Sequence, residues 1–176
     1  MSSWRSCGIF VIFAIDELKD SGVCADEHDM NFSTEGPATT PELIAARGVL
    51  SVLIVDDEAH ARVYTRLLLT TLGVNKVWEA SGADQALALY GEHQPSVVVI
   101  DINMPMMAGD GLMAKLLALD PDVAVIVVTS ESDIKTVRRF QELGAIGYLL
   151  KQTPRDQVSE ILGATLDSLI DYDGTD

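Results

Sequence analysis

Cysteine is scarce in this chain. Two occur among 176 residues, Cys7 and Cys24, and none follows. Neither stands in a metal-ligand or redox spacing, which excludes a disulfide framework and fits a reducing cytoplasm. Basic residues are few as well. Twelve Lys and Arg face 27 Asp and Glu, a formal net charge of −15. That balance excludes a basic face able to neutralise nucleic-acid phosphates, so no direct nucleic-acid binding is expected. Proteins and cations are the partners it fits. Long apolar runs are also missing. "CGIFVIFAI" (7–15) falls short of the roughly 20 residues that span a bilayer. Arg5 precedes it as in an export signal, but "DELKD" follows at once with no small-x-small cleavage pattern, so neither export nor membrane insertion is expected.

What is present is a core-forming composition, 48% apolar. Residues 1–49 read as an N-terminal extension, with three basic and eight acidic residues. Its apolar run is a strand or helix that leans on the domain, or sequence translated upstream of a start at Met30. Residues 16–41, ending "STEGPATTP", read as linker because they cannot bury enough surface to fold alone. "TPELIAARG" suits one helical turn, with Thr40 as cap and Pro41 at the first position.

From Leu50 the texture changes. Five short β-branched runs, "VLSVLIV", "NKVWEA", "SVVVID", "VAVIVVTS" and "AIGYLLK", alternate with five helical patterns. Gly73 and Gly144 stop two of the helices, Pro121 stops another, and Ser81 and Thr153 are expected as N-caps. Alternation of this kind predicts an α/β fold: a five-stranded parallel sheet with helices on both faces over 50–171, then a tail at 172–176.

In an open parallel sheet, chemistry gathers where the strands end. The first strand here ends in Asp56 and Asp57, the third in Asp101, the fourth in Thr129 and Ser130, and the fifth in Lys151. Carboxylates about 4 Å apart repel by roughly 4 kcal/mol at an effective dielectric near 20. A hard divalent cation such as Mg²⁺ resolves that conflict, since it takes carboxylate oxygens and waters. A carboxylate beside Mg²⁺, a lysine and a hydroxyl is arranged to receive a phosphoryl group, and Asp101 would then become an acyl phosphate.

Residues 50–171, about 70% of the chain, resemble a response-regulator receiver domain of two-component signalling. The matching motifs are "IVDDE" (54–58), "DINMP" through Gly109, "VTS" (128–130) and "GYLLK" (147–151). The resemblance implies a flavodoxin-like fold with strand order 2-1-3-4-5. It implies Asp101 as phosphoacceptor from a histidine kinase or histidine phosphotransfer protein. Asp56, Asp57 and the backbone carbonyl of Asn103 would join Asp101 around Mg²⁺. Thr129 would be the switch hydroxyl and Tyr148 the switch aromatic, with Lys151 completing the site. Asn103 and Glu131 resemble the pair that tunes hydrolysis in stand-alone, chemotaxis-type receivers. One departure stands out: Gln152 occupies the place of the proline that usually follows the lysine.

On this reading the chain is a single-domain cytoplasmic regulator and not a turnover enzyme. It catalyses only its own phosphorylation and dephosphorylation. Its output face would be the fourth helix, fifth strand and last helix, where Lys135, Arg138 and Arg139 form a local basic patch. A phosphorylation-dependent homodimer through that face is left open. A haloacid-dehalogenase-type phosphatase also forms an aspartyl phosphate, but it needs a second aspartate where Asn103 stands. A degenerate receiver used only for docking would not need the full acidic set, and a transcription factor would need a helix-turn-helix that the sequence does not show.

Overall fold

The computed structural model describes residues 11–12, 41–104, 109–130 and 134–171. Among these residues six strands alternate with six helices. They are β1 (Val11–Ile12), α1 (Pro41–Arg47), β2 (Ser51–Val55), α2 (Ala59–Thr71), β3 (Lys76–Ala80), α3 (Ala83–His93), β4 (Val97–Asp101), α4 (Gly109–Leu119), β5 (Ala124–Thr129), α5 (Ile134–Leu143), β6 (Gly147–Leu150) and α6 (Arg155–Asp171). All strand pairs are parallel, and the sheet runs β1-β6-β5-β4-β2-β3. Its last five members are the five strands expected from the sequence, in the expected 2-1-3-4-5 order.

Period-two alternation along the strands divides the core. Leu53, Val55, Val98, Ile100, Val125, Val127 and Tyr148 face one layer, with Leu112, Met113, Leu116, Val137 and Phe140 from α4 and α5. Val52, Ile54, Val97, Val99, Ile126 and Leu149 face the other, with Leu68, Leu69, Leu72, Ile161, Leu162 and Leu166 from α2 and α6. Strands covered on both faces are apolar throughout, and every residue of β4 is buried, its terminal aspartate included.

Gly73 and Gly144 end their helices as expected. Both have φ near 100°, a region costly for other residues. In each case the glycine N–H and the next residue's N–H return to carbonyls of the last turn: Gly73 to Thr70 and Val74 to Leu69, Gly144 to Gln141 and Ala145 to Phe140. Ser81 does not cap α3. Gly82 holds the cap position, and the Gln85 side chain reaches back to accept from both the N–H and the hydroxyl of Ser81. Thr153 does not cap α6 either. Its hydroxyl is buried and makes no hydrogen bond. An unpaired buried hydroxyl costs about 1–3 kcal/mol, so Thr153→Val, nearly isosteric, is expected to raise stability by about 1 kcal/mol in urea unfolding.

The packed unit begins earlier than the Leu50 boundary read from the sequence. Helix α1 lies against α6 and delivers Arg47, 1% exposed, into the interior. The guanidinium holds Asp167 through Nε and Nη2, at 2.7 and 2.8 Å, and donates from Nη1 to the Leu72 carbonyl at 3.2 Å. Two glycines leave room for this helix. A Cβ at Gly73 would stand 2.5 Å from the Ile44 carbonyl oxygen, and one at Gly163 would stand 3.2 Å from Arg47 Nη2. Thr40, Met30, both cysteines and the 172–176 tail lie outside the described residues.

Candidate functional site

The ends of β2, β4, β5 and β6 converge. Asp101 closes β4 and is 2% exposed. Asp56 follows β2 at 6%, and Asp57 stands in solvent beside it. Each of these three offers a carboxylate oxygen within 4.8 Å of the others. Lys151, directly after β6, bridges two of them. Its Nζ donates to Asp101 Oδ2 at 2.8 Å, lies 3.0 Å from Asp56 Oδ2, and is 3.8 Å from Glu58 Oε1. Backbone amides take the remaining oxygens: Glu58 N–H donates to Asp56 Oδ1 and Asn103 N–H to Asp101 Oδ1. Each is an i+2 contact, so the carboxylate fixes the turn that follows its own strand.

Burial pushes the Asp56 carboxyl above its ordinary value, and the neighbouring Asp101 charge adds to this. The Glu58 amide and Lys151 offset part of the rise. Burial alone would lower the Lys151 ammonium. The hydrogen bonds to Asp101 and Asp56, with the charges of both, outweigh it and hold Lys151 above its usual range. An oxygen-only donor set with one member open to solvent fits a hard divalent ion such as Mg²⁺, which Asp56, Asp57 and Asp101 could hold.

Thr129 is wholly buried at the end of β5. The Asn103 amide reaches across to it, donating to Ser130 Oγ at 2.8 Å and lying 3.4 Å from Thr129 Oγ1. Tyr148 is turned inward, 1% exposed, in the core beneath α4 and α5. Gln152, where the sequence departs from the family's proline, donates to the Ser130 carbonyl at 3.2 Å, while Lys151 N–H donates to the Thr129 carbonyl at 2.7 Å. The β5 and β6 ends are thereby tied together. Among the described residues no peptide bond is cis.

Asp56, Asp57, Asp101, Asn103, Thr129 and Lys151 are therefore gathered at one edge, with Tyr148 buried on the adjoining strand. Glu131 lies outside the described residues. The sequence gives no site role to Glu58, the last residue of "IVDDE" and within 4 Å of Lys151, or to Arg62, whose Nη1 donates to the Asp56 carbonyl at 2.7 Å. Arg62 lies six residues beyond Asp56, so the helical rise of α2 carries it back over the strand end.

A doubly wound sheet with an acidic cluster and a lysine at its carboxyl edge defines a class of phosphoryl-accepting signalling domains. The chain belongs to the response regulator receiver domain family, which it matches over residues 52–163. It is 31% identical over 115 residues to the chemotaxis protein CheY of Bacillus subtilis, covering 65% of this chain and 96% of that protein. It is 31% identical over 113 residues to the glycerol metabolism activator of Pseudomonas putida, covering 63% of this chain and 51% of that one. The chain thus spans about half the length of that longer regulator. Among solved structures it resembles the CheX-CheY-BeF3-Mg complex from Borrelia burgdorferi. There the TM-score is 0.62 at 25% identity, with 65% of this chain and 87% of that one covered. Receiver domains serve two-component signalling and are not substrate-turnover enzymes. Among the described residues no helix is long and apolar enough to cross a membrane.

Proposed function

We propose that this chain is a phosphorylation-switched response regulator in which Asp101 is the phosphoacceptor. The observation that carries the reading is the buried Asp101 carboxylate held by the Lys151 ammonium beside two further carboxylates. In the transfer, a phosphohistidine N–P bond of a histidine kinase or phosphotransfer protein breaks. An Asp101 oxygen forms the new O–P bond, and the product is an acyl phosphate. Asp56, Asp57, Asp101 and the Asn103 carbonyl would hold Mg²⁺, whose charge would neutralise the phosphoryl oxygens. Lys151, whose Nζ donates to Asp101 Oδ2, adds a further positive charge. Thr129 would donate its hydroxyl to a phosphoryl oxygen.

Asn103, whose side-chain amide reaches Ser130 and Thr129, and Glu131 are the side chains that would orient water for hydrolysis of the acyl phosphate. A donor protein also finds an apolar surface nearby. Val63, Tyr64 and Leu67 are exposed on α2, the helix that starts at the site. Output leaves through α5, β6 and α6. Movement of Thr129 toward phosphate and of Tyr148 within its pocket would shift this unit, and Lys135 and Arg138 on α5 favour an acidic partner. A phosphorylation-dependent homodimer is compatible with the same face. The cytoplasm, where kinases and phosphotransfer proteins act, is the compartment this role requires.

Phosphotransfer from the host's purified histidine kinases tests the reading. One kinase is expected to label the chain far faster than the rest, and labelling by none would overturn it. A second expectation concerns the metal. The raised Asp56 pKa means that the folded chain holds this proton more tightly than the unfolded chain does. Without metal, Asp56 therefore costs stability as pH rises from 3.8 through its raised folded value. Mg²⁺ requires the ionised form, so its affinity by titration calorimetry is expected to fall as pH is lowered through that same window, with protons released on binding.

A further inference from the structure

Two separate parts of the N-terminal extension grip the same unit of the fold. Strand β1 pairs in parallel with the outer edge of β6, Val11 opposite Gly147 and Ile12 opposite Tyr148. Helix α1 is clasped to α6 through the Arg47–Asp167 pair. β6 and α6 are consecutive elements, and the five-stranded arrangement expected from the sequence would leave β6 at the edge. Three of its four residues are buried, so an uncovered β6 would present an apolar strand with a row of unpaired N–H and C=O groups. Such an edge invites another chain.

We propose that the outer edge of β6 is a strand-accepting interaction surface, and that the chain's own Val11–Ile12 segment occupies it and must leave before a partner can pair there. α1 anchors the occupant. Residues 13–40, 28 in number, tether it to the domain. A competing segment therefore has to overcome an intramolecular rival. Pairing opposite Tyr148 also restrains the backbone of the residue proposed to switch, so occupancy of the edge and the position of the ring are linked. The partner fitting the surface is an extended apolar segment laid parallel to β6, since backbone pairing supplies affinity in strand addition. The proposal rests on the receiver reading only in taking β6 and α6 as output elements. The pairing is measured with no phosphodonor present, so failure of one is distinguishable from failure of the other.

The test is amide hydrogen exchange on the full chain, compared with the full-length Val11→Pro, Ile12→Pro double variant. N–H groups alternate between the two sides of a strand, so one of these prolines must remove a donor to β6. Exchange at the β6 amides on the β1 side is expected to quicken by about tenfold or more, while the β4 amides of Val98–Ile100 keep their protection. A synthetic peptide of residues 5–20, added to the variant, is expected to slow the β6 amides again. Unchanged β6 exchange in the variant would overturn the proposal. So would equal loss of protection through β4, which would make β1 part of the global fold, and so would a peptide without effect.

Discussion

Asp101→Asn is expected to take up no phosphoryl group from acetyl phosphate under conditions that label the unaltered chain fully, as read by intact mass. The amide oxygen is a poor nucleophile and cannot form the acyl phosphate, so the loss is to the detection limit and not a fractional slowing. Structure is not the cause of this loss. Asparagine keeps the shape, and its oxygen can still accept from the Asn103 backbone N–H, which donates to Asp101 Oδ1. Lys151 keeps Asp56 at 3.0 Å. Removing one of three clustered negative charges also relieves repulsion, worth up to roughly 4 kcal/mol per close pair at an effective dielectric near 20, which offsets the lost Lys151–Asp101 attraction. The thermal midpoint without metal should therefore stay within a few degrees of the parent. Phosphoryl mass appearing on the variant at the parent's rate would place the acceptor elsewhere and overturn the assignment.

Much of this site was legible in the sequence because of where a parallel sheet puts its strand ends. A strand buried on both faces must be apolar along its length, so a polar residue closing the run marks the edge, as at Asp56, Asp101, Thr129 and Lys151. The order of five strands followed from the alternation together with the family resemblance. Contacts without a local signature were not legible. Glu58 and Arg62 read as ordinary residues of a helix start, and only the placement of α2 over the β2 end brings them to the site. Thr153 reads as a helix cap from its place before Pro154, yet burial leaves its hydroxyl unpaired. The run around Val11 is short and has no periodicity, so it read equally as strand or helix. What decided between them was an open edge at β6, and that edge is a property of the sheet.

Arg47 is the largest miss, and replacing it carries the second large expected effect. Nothing near it in sequence announces a buried charge, because its partner, Asp167, is 120 residues away. Arg47→Met keeps much of the volume and the apolar stem but leaves the Asp167 carboxylate and the Leu72 carbonyl without their donor. Removing one partner of a buried pair costs about 3–5 kcal/mol. Asp167 is 21% exposed, so water recovers part of that, and the lower end of the range applies. For a domain of this size each kcal/mol is worth about 2–4 °C, which places the expected fall in thermal midpoint at about 6–12 °C. Asp167→Asn, which retains one acceptor oxygen for the guanidinium, should cost less. The Arg47→Met, Asp167→Leu double variant should recover part of the loss, since it removes the stranded charge. If Arg47→Met melts with the parent, α1 is not held against α6 by this pair. The clamp on the β6–α6 unit would then lose its anchor, while the phosphoryl chemistry at Asp101, at the carboxyl edge of the sheet, would be untouched.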